Sequence, residues 1–161
     1  MIKVVGRNDL AECAGVIRSS FMTVAEELGI TPENAPGYTA FSVTEEKLAE
    51  QAEDENRIMA AYFSESGRII GYYSLLVQGE GECELSNLCV LPQYRHSNTG
   101  SALLDDSFAR AKEAGCRKMN IGIVEENTVL REWYESKGFI HTGTQKFGFF
   151  PFTCGYMEKE L

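Results

Sequence analysis

The spacing of apolar residues predicts two helices in the first third of the chain. From residues 8–9, which can cap a helix, to Leu28, apolar side chains recur at the intervals of one helical face. They are Leu10, Cys13, Ala14, Ile17 and Phe21. Gly29 is suited to end this helix in a left-handed turn. A second helix is predicted from Thr44 to about Glu55, after a loop rich in proline and glycine.

Runs rich in β-branched and aromatic residues predict strands, and two more helical segments lie between them. The predicted strands are residues 2–5, 57–63, 68–77, 82–90, 117–124, 139–147 and 152–158. The further helices are residues 101–114 and 127–137. The order β-α-α-β-β-β-α-β-α-β-β favours a mixed α/β (α+β) protein built on one sheet.

Length and composition favour a single globular domain over residues 1–161. Hydrophobic residues make up 43% and charged residues 24%, which suits a packed core. The formal net charge of -9 argues against nonspecific nucleic-acid binding and against an anionic membrane surface. Neither a signal peptide nor an apolar run long enough to cross a bilayer is visible.

Five scattered cysteines, without a CxxC pair, predict reduced thiols in a cytoplasm and neither disulfides nor a metal site. They are Cys13, Cys83, Cys89, Cys116 and Cys154. A nucleophilic cysteine would need a histidine beside it, and the only histidines are His96 and His141. We therefore expect no covalent enzyme intermediate.

A polar turn connects the predicted strand Glu82–Val90 to the helix at residues 101–114. This arrangement suits a phosphorylated ligand, because the first N–H groups of a helix have no internal partner and carry partial positive charge. Arg95 adds a full charge and a fork of donors. Gly100 has no side chain to hold a phosphate away from the backbone.

This turn resembles the pyrophosphate loop of the GNAT superfamily of acyl-CoA-dependent N-acyltransferases, whose pattern is Gln/Arg-x-x-Gly-x-Gly/Ala. The corresponding residues are Arg95, His96, Ser97, Asn98, Thr99 and Gly100, followed by Ser101 and Ala-Leu-Leu. By this resemblance they bind the diphosphate of the acyl donor. Asn98 stands where the family usually has glycine. Since asparagine tolerates a left-handed backbone, we expect the loop to keep its shape.

Residues 127–139 resemble the second motif of the same family, Asn-x-x-Ala-x-x-x-Tyr-x-x-x-Gly-Phe, with Leu130 in place of the small residue. Asn127 and Tyr134 lie two helical turns apart and therefore on one face. The resemblance implies that Asn127 contacts the pantetheine or phosphate arm and that Tyr134 lies near the sulfur. A phenol, with a pKa of about 10, can protonate a departing thiolate. The alternatives are that Tyr134 only packs and that Asn127 only caps a helix.

The strand that enters the turn supplies the other expected site residues. Some GNAT members carry a catalytic glutamate at the position of Glu84, which takes the proton of the amine directly or through water. An exposed structural carboxylate is the alternative. In the family, the backbone of this strand pairs with pantetheine and one N–H polarises the thioester carbonyl. The residues concerned are Leu88, Cys89 and Val90.

Two aromatic regions are expected to wall the acceptor site in this fold. They contain Lys146, Phe147, Phe149, Phe150 and Phe152 in one region, and Met22, Tyr38 and Phe41 in the other. Such clusters are more often packing or dimer contacts than substrate clamps, so packing is the favoured interpretation.

Together the resemblances predict the GNAT fold, a mixed and mostly antiparallel sheet flanked by helices. The expected activity is transfer of an acetyl group from acetyl-CoA to a primary amine within a ternary complex. The sequence does not identify the acceptor, a small molecule or a peptide, or the oligomeric state, although homodimers are common in the family. The alternatives are a catalytically silent acyl-CoA-binding or regulatory module on the same fold, and a nucleotide-binding protein of unrelated fold.

Overall fold

The computed structural model describes residues 1–161 as strands and helices in alternation. The strands are β1 Ile2–Val4, β2 Arg57–Phe63, β3 Ile69–Gly79, β4 Glu82–Val90, β5 Lys118–Val124, β6 Ile140–Gln145 and β7 Cys154–Glu160. The helices are α1 Leu10–Leu28, α2 Thr39–Ser42, α3 Glu45–Ala52, α4 Thr99–Glu113 and α5 Thr128–Ser136. None of these helices combines the length and the apolar character needed to cross a bilayer.

All strands belong to one sheet, in the order β1-β2-β3-β4-β5-β7-β6. Neighbouring strands are antiparallel except for β4 and β5, which run parallel and are connected through α4. The carboxyl ends of β4 and β5 therefore lie at the same edge of the sheet, where α4 and α5 begin. The mixed, mostly antiparallel sheet expected from the sequence is confirmed.

Helices cover both faces of the sheet. On one face, α4 and α5 bury Leu103, Leu104 and Tyr134 against β3, β4 and β5. On the other face, α1 and α3 bury Ile17 and Leu48 against β2 and β3. Full burial of one such aliphatic side chain stabilises the fold by about 1.5–3 kcal/mol. The central strands are thus fixed from both sides, which makes them a rigid base for a site.

The predicted order of elements is confirmed, with one added helix and shifts of a few residues at several element ends. The short helix α2 directly follows the loop that proline and glycine had indicated, in residues to which no element had been assigned. Helix α3 ends at Ala52 rather than near Glu55. The chain turns there because the Asp54 carboxylate accepts a hydrogen bond from the backbone N–H of Asn56 at 2.9 Å.

Candidate active site

The parallel strands β4 and β5 part from each other halfway along their length. They pair only where residues 82–85 face residues 118–121. Beyond Leu85, β4 stays bonded to β3, whereas β5 follows β7 as far as Val124. The backbone N–H and C=O groups of residues 86–89 that point toward β5 therefore have no strand partner, whereas the carbonyl of Val90 accepts a hydrogen bond from Arg95. An open strand edge of this kind can pair with an extended ligand.

A β-bulge at Asn87 redirects the open half of β4. Asn87 has a φ of 55°, and the pairing with β3 shifts register between Tyr72 and Ser74. Before the bulge, Leu85 packs with the core of α4 and α5, whereas Cys89 after it packs with the core of α1. Because a bulge bends and twists its strand, it accounts for the divergence of β4 from β5.

The turn between β4 and α4 presents a row of unpaired backbone donors. None of the N–H groups of residues 96–101 donates to an acceptor within the protein, and the next N–H, of Ala102, donates to the carbonyl of Asn98 at 3.0 Å. His96 and Asn98 are both left-handed, with φ of 64° and 66°. Left-handed residues between ordinary ones form a nest of N–H groups that binds anions. The expectation that Asn98 keeps a left-handed backbone is confirmed.

Hydrogen bonds between residues of the turn stabilise its conformation. The hydroxyl of Ser97 donates to the carbonyl of Tyr94 at 2.5 Å and lies 3.1 Å from the hydroxyl of the buried Thr99. At Gly100, an added Cβ would lie 3.7 Å from Val90 and no closer to Trp133. Those are ordinary van der Waals distances, so the fold itself does not require a glycine at this position.

Arg95 binds the protein rather than pointing out of the turn. Its Nε donates to the carbonyl of Val90 at 3.1 Å, and its Nη1 donates to the hydroxyl of Thr23 at 3.0 Å. Its Nη2 donates to the carbonyl of Ser20 at 2.9 Å. The sequence had suggested a guanidinium that faces a phosphate. The structure instead shows a brace that joins α1 to the end of β4, where it holds the turn in place.

This geometry predicts the result of replacing Arg95 with lysine. The substitution keeps the positive charge but removes the directed fork, so the free energy of unfolding should fall by about 1–2 kcal/mol in urea denaturation. Arg68→Lys is the control, because Arg68 lies in the exposed β2–β3 turn and its guanidinium makes no hydrogen bond in the protein. Wild-type stability of Arg95→Lys would mean that the charge alone matters at this position.

A cavity of about 280 Å³ fills the opening between β4 and β5. Glu84, Leu88, Asn127 and Tyr134 all line it, so the structure brings together the candidate base, the open strand, the helix cap and the candidate acid. The exposed Glu84 carboxylate accepts one protein hydrogen bond, from the amide of Gln78 at 3.3 Å. Its second oxygen therefore remains available to a ligand in the cavity.

Tyr134 enters the cavity from α5 and is 5% exposed. Its ring packs edge-on against Trp133 and Phe139, with centroids 5.0 and 5.2 Å away. Burial raises the pKa of Tyr134 well above the ordinary phenol value, and the nearby Cys89 is a smaller cause. The phenol is therefore protonated at neutral pH, and the same shift makes it a weaker acid than an exposed phenol. The ring also packs, as the alternative interpretation predicted. The two roles are compatible, because packing uses the ring and proton donation uses the hydroxyl.

Asn127 is the N-cap of α5, as the helix-cap alternative predicted. Its Oδ1 accepts a hydrogen bond from the backbone N–H of Leu130 at 3.3 Å. Because the side chain also lines the cavity, its Nδ2 remains as a donor toward a ligand. The cap thus orients a donor at the start of the helix that carries Tyr134.

Cys89 and Val90 are buried, and only their backbone is suited to contact a ligand. Burial raises the pKa of the Cys89 thiol to about 12, so the thiol is not ionised near neutrality. Neither histidine hydrogen-bonds to a cysteine, and His141 instead contacts Glu125 at 2.9 Å. These contacts give no support to a nucleophilic cysteine.

The two aromatic regions meet at the mouth of the cavity. Tyr38 packs edge-on against Phe152 at 5.6 Å, and Phe150 stacks on Phe152 at 4.7 Å. Tyr38 and Phe152 belong to a small core with Ala25 and Ile30, so packing is confirmed for these two rings. Phe149, by contrast, is 67% exposed at the tip of the loop.

Sequence reasoning missed the contacts that hold the loop before β7 against the start of α5. The Glu126 carboxylate accepts the backbone N–H of Thr153 at 2.9 Å. The adjacent Glu125 binds Arg131 at 2.6 Å as well as His141. The only signal in the sequence was two consecutive glutamates before the Asn127 cap, a pattern that exposed loops also show.

Comparison with known proteins gives the same fold. The sequence matches the family model described as the acetyltransferase (GNAT) family over residues 24–139. It is 27% identical over 139 residues to an uncharacterized N-acetyltransferase of Mycobacterium bovis, and the alignment covers 86% of this chain and 88% of the relative.

Two solved structures resemble this one along nearly their whole length. The PaiA N-acetyltransferase of Thermoplasma acidophilum, crystallised in complex with coenzyme A, is 22% identical with a TM-score of 0.82, covering 100% of this chain and 98% of that one. The ribosomal-protein-S18-alanine N-acetyltransferase of Escherichia coli is 17% identical with a TM-score of 0.78, covering 99% and 92%. At these identities the likeness concerns the fold.

Proposed function

The chain belongs to the GNAT acetyltransferase family, and we propose that it transfers an acetyl group from acetyl-CoA directly to a primary amine. The protein is an acyltransferase by its family, and acetyl-CoA is the co-substrate that the family uses. One domain over residues 1–161 carries the activity in this proposal, since a single sheet runs through the whole chain. The five cysteines are free thiols, which supports a reducing, cytoplasmic environment.

The residues that we assign to acetyl-CoA binding are those whose backbone N–H or C=O groups have no partner within the protein. We assign the diphosphate to the N–H groups of residues 96–101, where the nest meets the positive end of the α4 dipole. We assign the pantetheine arm to the open edge of Leu88, Cys89 and Val90, with Asn127 across the gap. Arg95 acts by bracing this turn rather than by binding the ligand.

The chemistry needs one proton removed and one supplied. Glu84 accepts a proton from the incoming ammonium, directly or through water, so that the nitrogen can attack the acetyl carbon. A backbone N–H of the open half of β4 stabilises the charge that develops on the carbonyl oxygen. Tyr134 gives its proton to the departing sulfur as the carbon–sulfur bond breaks.

The observation that carries the proposal is the opening between two parallel strands, with unpaired amides at one end and a protonated phenol inside it. Calorimetric titration with acetyl-CoA, followed by a thiol-release assay on a broad panel of amines, tests it. Tight binding with turnover of at least one amine is expected. Binding without any turnover would favour the silent module, and binding of ATP in preference to coenzyme A would favour the nucleotide-binding alternative.

Replacement of Glu84 with glutamine tests the assignment of the base. At neutral pH, kcat/KM for the amine should fall by about 10²-fold, because most of the amine is protonated and no carboxylate remains to accept its proton. The deficit should shrink as the pH approaches the pKa of the acceptor, where free amine is abundant. A pH profile of kcat/KM, measured by thiol release, gives both quantities.

Glu82→Gln is the matched control for this experiment. Glu82 lies two residues earlier on the same strand, outside the cavity, and contacts Lys118 and Asn120. We expect its loss to leave kcat/KM nearly unchanged at every pH. An unaltered profile of Glu84→Gln would assign proton removal to ordered water instead.

A further inference from the structure

The acceptor end of the cavity combines aromatic rings with a single charge. The rings come from α1, from the loop before α2, from the loop before β7 and from β7 itself: Phe21, Tyr38, Phe150, Phe152 and Tyr156. Glu84 is the only charged side chain along the whole cavity, and no lysine, arginine or histidine lines it. An acceptor therefore meets one carboxylate within an otherwise largely apolar surface.

Contacts within the protein already hold this aromatic surface in place. Tyr38 and Phe152 are 6% and 7% exposed. The ammonium group of Lys146 donates to the carbonyls of Phe147 and Phe150 and closes the loop that carries the rings. On the far side, Glu126 holds the backbone of Thr153. Since the surface is largely formed in advance, it selects acceptors by their shape and charge.

We propose, on the basis of the acetyl transfer proposed above, that the acceptor is a monoamine on an apolar body of aromatic size. In this proposal, neither a carboxylate nor a second ammonium group lies near the reacting nitrogen. Glu84 meets the single ammonium group, and the body packs between Phe21, Tyr38 and Phe150. The proposal narrows the acceptors that the sequence left open, because it excludes free amino acids and polyamines.

The lack of a partner for any added charge carries this exclusion, because Glu84 is the one charged side chain of the cavity and is itself exposed to solvent. A carboxylate beside the amine would enter the cavity without a cationic partner and close to Glu84, in a protein whose net charge is -9. A second ammonium group would find no carboxylate of its own along the cavity, since the charge of Glu84 is already matched by the first. The acidic exterior attracts cations in general, but it offers them no partner within the cavity.

Matched pairs of acceptors test the proposal. Phenylalaninamide and phenylalanine differ by one negative charge at nearly equal size, and octylamine and spermidine differ in the number of ammonium groups along a chain of similar reach. Phenylethylamine serves as the reference. We measure kcat/KM by thiol release from acetyl-CoA and compare it per unprotonated amine. Phenylalanine should be at least 100-fold slower than phenylalaninamide, and spermidine should be at least 100-fold slower than octylamine.

The outcomes separate this inference from the proposed function. Turnover of phenylethylamine, phenylalaninamide and octylamine well above the other two supports the inference. Turnover of phenylalanine or spermidine at the rate of its partner overturns it while leaving acetyl transfer intact. Failure to bind acetyl-CoA in calorimetry, or no turnover of any amine in a wider panel, overturns acetyl transfer itself.

A charge introduced at the cavity wall gives a second readout. Tyr156→Arg places a cation at a position that is 37% exposed and lines the cavity, so it should raise the ratio of phenylalanine to phenylalaninamide turnover by at least tenfold. Val129→Arg adds the same charge on the exposed side of α5 and should leave the ratio unchanged. An unchanged ratio in Tyr156→Arg, with the protein folded by circular dichroism, would mean that the wall does not select against carboxylates.

Discussion

Replacement of Tyr134 with phenylalanine is expected to lower kcat by about 10²–10³-fold, while the Kd for acetyl-CoA stays within about twofold. The ring remains, so its packing against Trp133 and Phe139 and the shape of the cavity are kept. What is lost is the proton that the departing sulfur takes up. Single-turnover kinetics and calorimetric titration on the same preparation measure the two quantities separately.

The pH dependence of the wild-type enzyme follows from the same side chain. Burial raises the pKa of Tyr134, so the folded protein holds this proton more tightly than an exposed phenol does. The acid form therefore persists through neutral and moderately alkaline pH, and no loss of kcat below about pH 10 should come from its ionisation. Loss of the acid form would begin only above that range.

Tyr156→Phe is the control for the loss of a hydroxyl from this cavity. Tyr156 also lines the cavity, but its hydroxyl donates to Gln145 at 3.3 Å, away from α5. We expect kcat of Tyr156→Phe to remain within a few-fold of wild type. Equal kcat in Tyr134→Phe and wild type would remove the phenol from the mechanism, even if acetyl-CoA binding were normal.

Ser101→Pro should raise the Kd for acetyl-CoA by roughly 10- to 100-fold, the worth of one charge-assisted hydrogen bond of about 1.5–3 kcal/mol. The backbone N–H of Ser101 has no acceptor within the protein and lies in the first turn of α4, where proline is tolerated. The substitution therefore removes one donor from the turn at little cost to the fold. Calorimetry gives the affinity, and thermal denaturation without ligand checks the fold.

Ser101→Ala is the companion variant, because it removes the hydroxyl and keeps the backbone N–H. It should bind acetyl-CoA nearly as tightly as the wild type. If alanine weakens binding as much as proline does, the side chain rather than the main chain holds the diphosphate. If neither variant weakens binding, the ligand does not reach this part of the turn.

The periodic parts of the chain were predictable, because their apolar faces follow local rules. Strand β4 begins and ends at the predicted residues, and Gly29 ends α1 in the left-handed conformation. Strand β7 starts at Cys154 rather than at residue 152, because Phe152 is drawn into the aromatic core and Thr153 bonds to Glu126. A distant contact decided this boundary, and no local pattern encodes it.

The candidate site was predictable where a short motif brings its own geometry. Residues 96–101 follow from a strand, a left-handed Asn98 and a helix start, all adjacent in sequence. The orientation of Arg95 was not predictable, since its partners Ser20 and Thr23 lie on a helix more than seventy residues away. The bulge at Asn87 had only a weak signal, a strand interior occupied by a residue that strands disfavour.

The separation of β4 from β5 also affects the stability of the folded protein. Without bound acetyl-CoA, the two halves of the sheet are joined only by the short β4–β5 ladder, at residues 82–85 and 118–121. A ligand that hydrogen-bonds to the free edge of β4 would bridge the two halves. Its binding raises the free energy of unfolding by RT ln(1 + [L]/Kd), about 2.7 kcal/mol at a ligand concentration one hundred times Kd. We expect the lifetime of the enzyme against unfolding and proteolysis to rise with the concentration of coenzyme A and its thioesters, which share the pantetheine arm assigned to this edge.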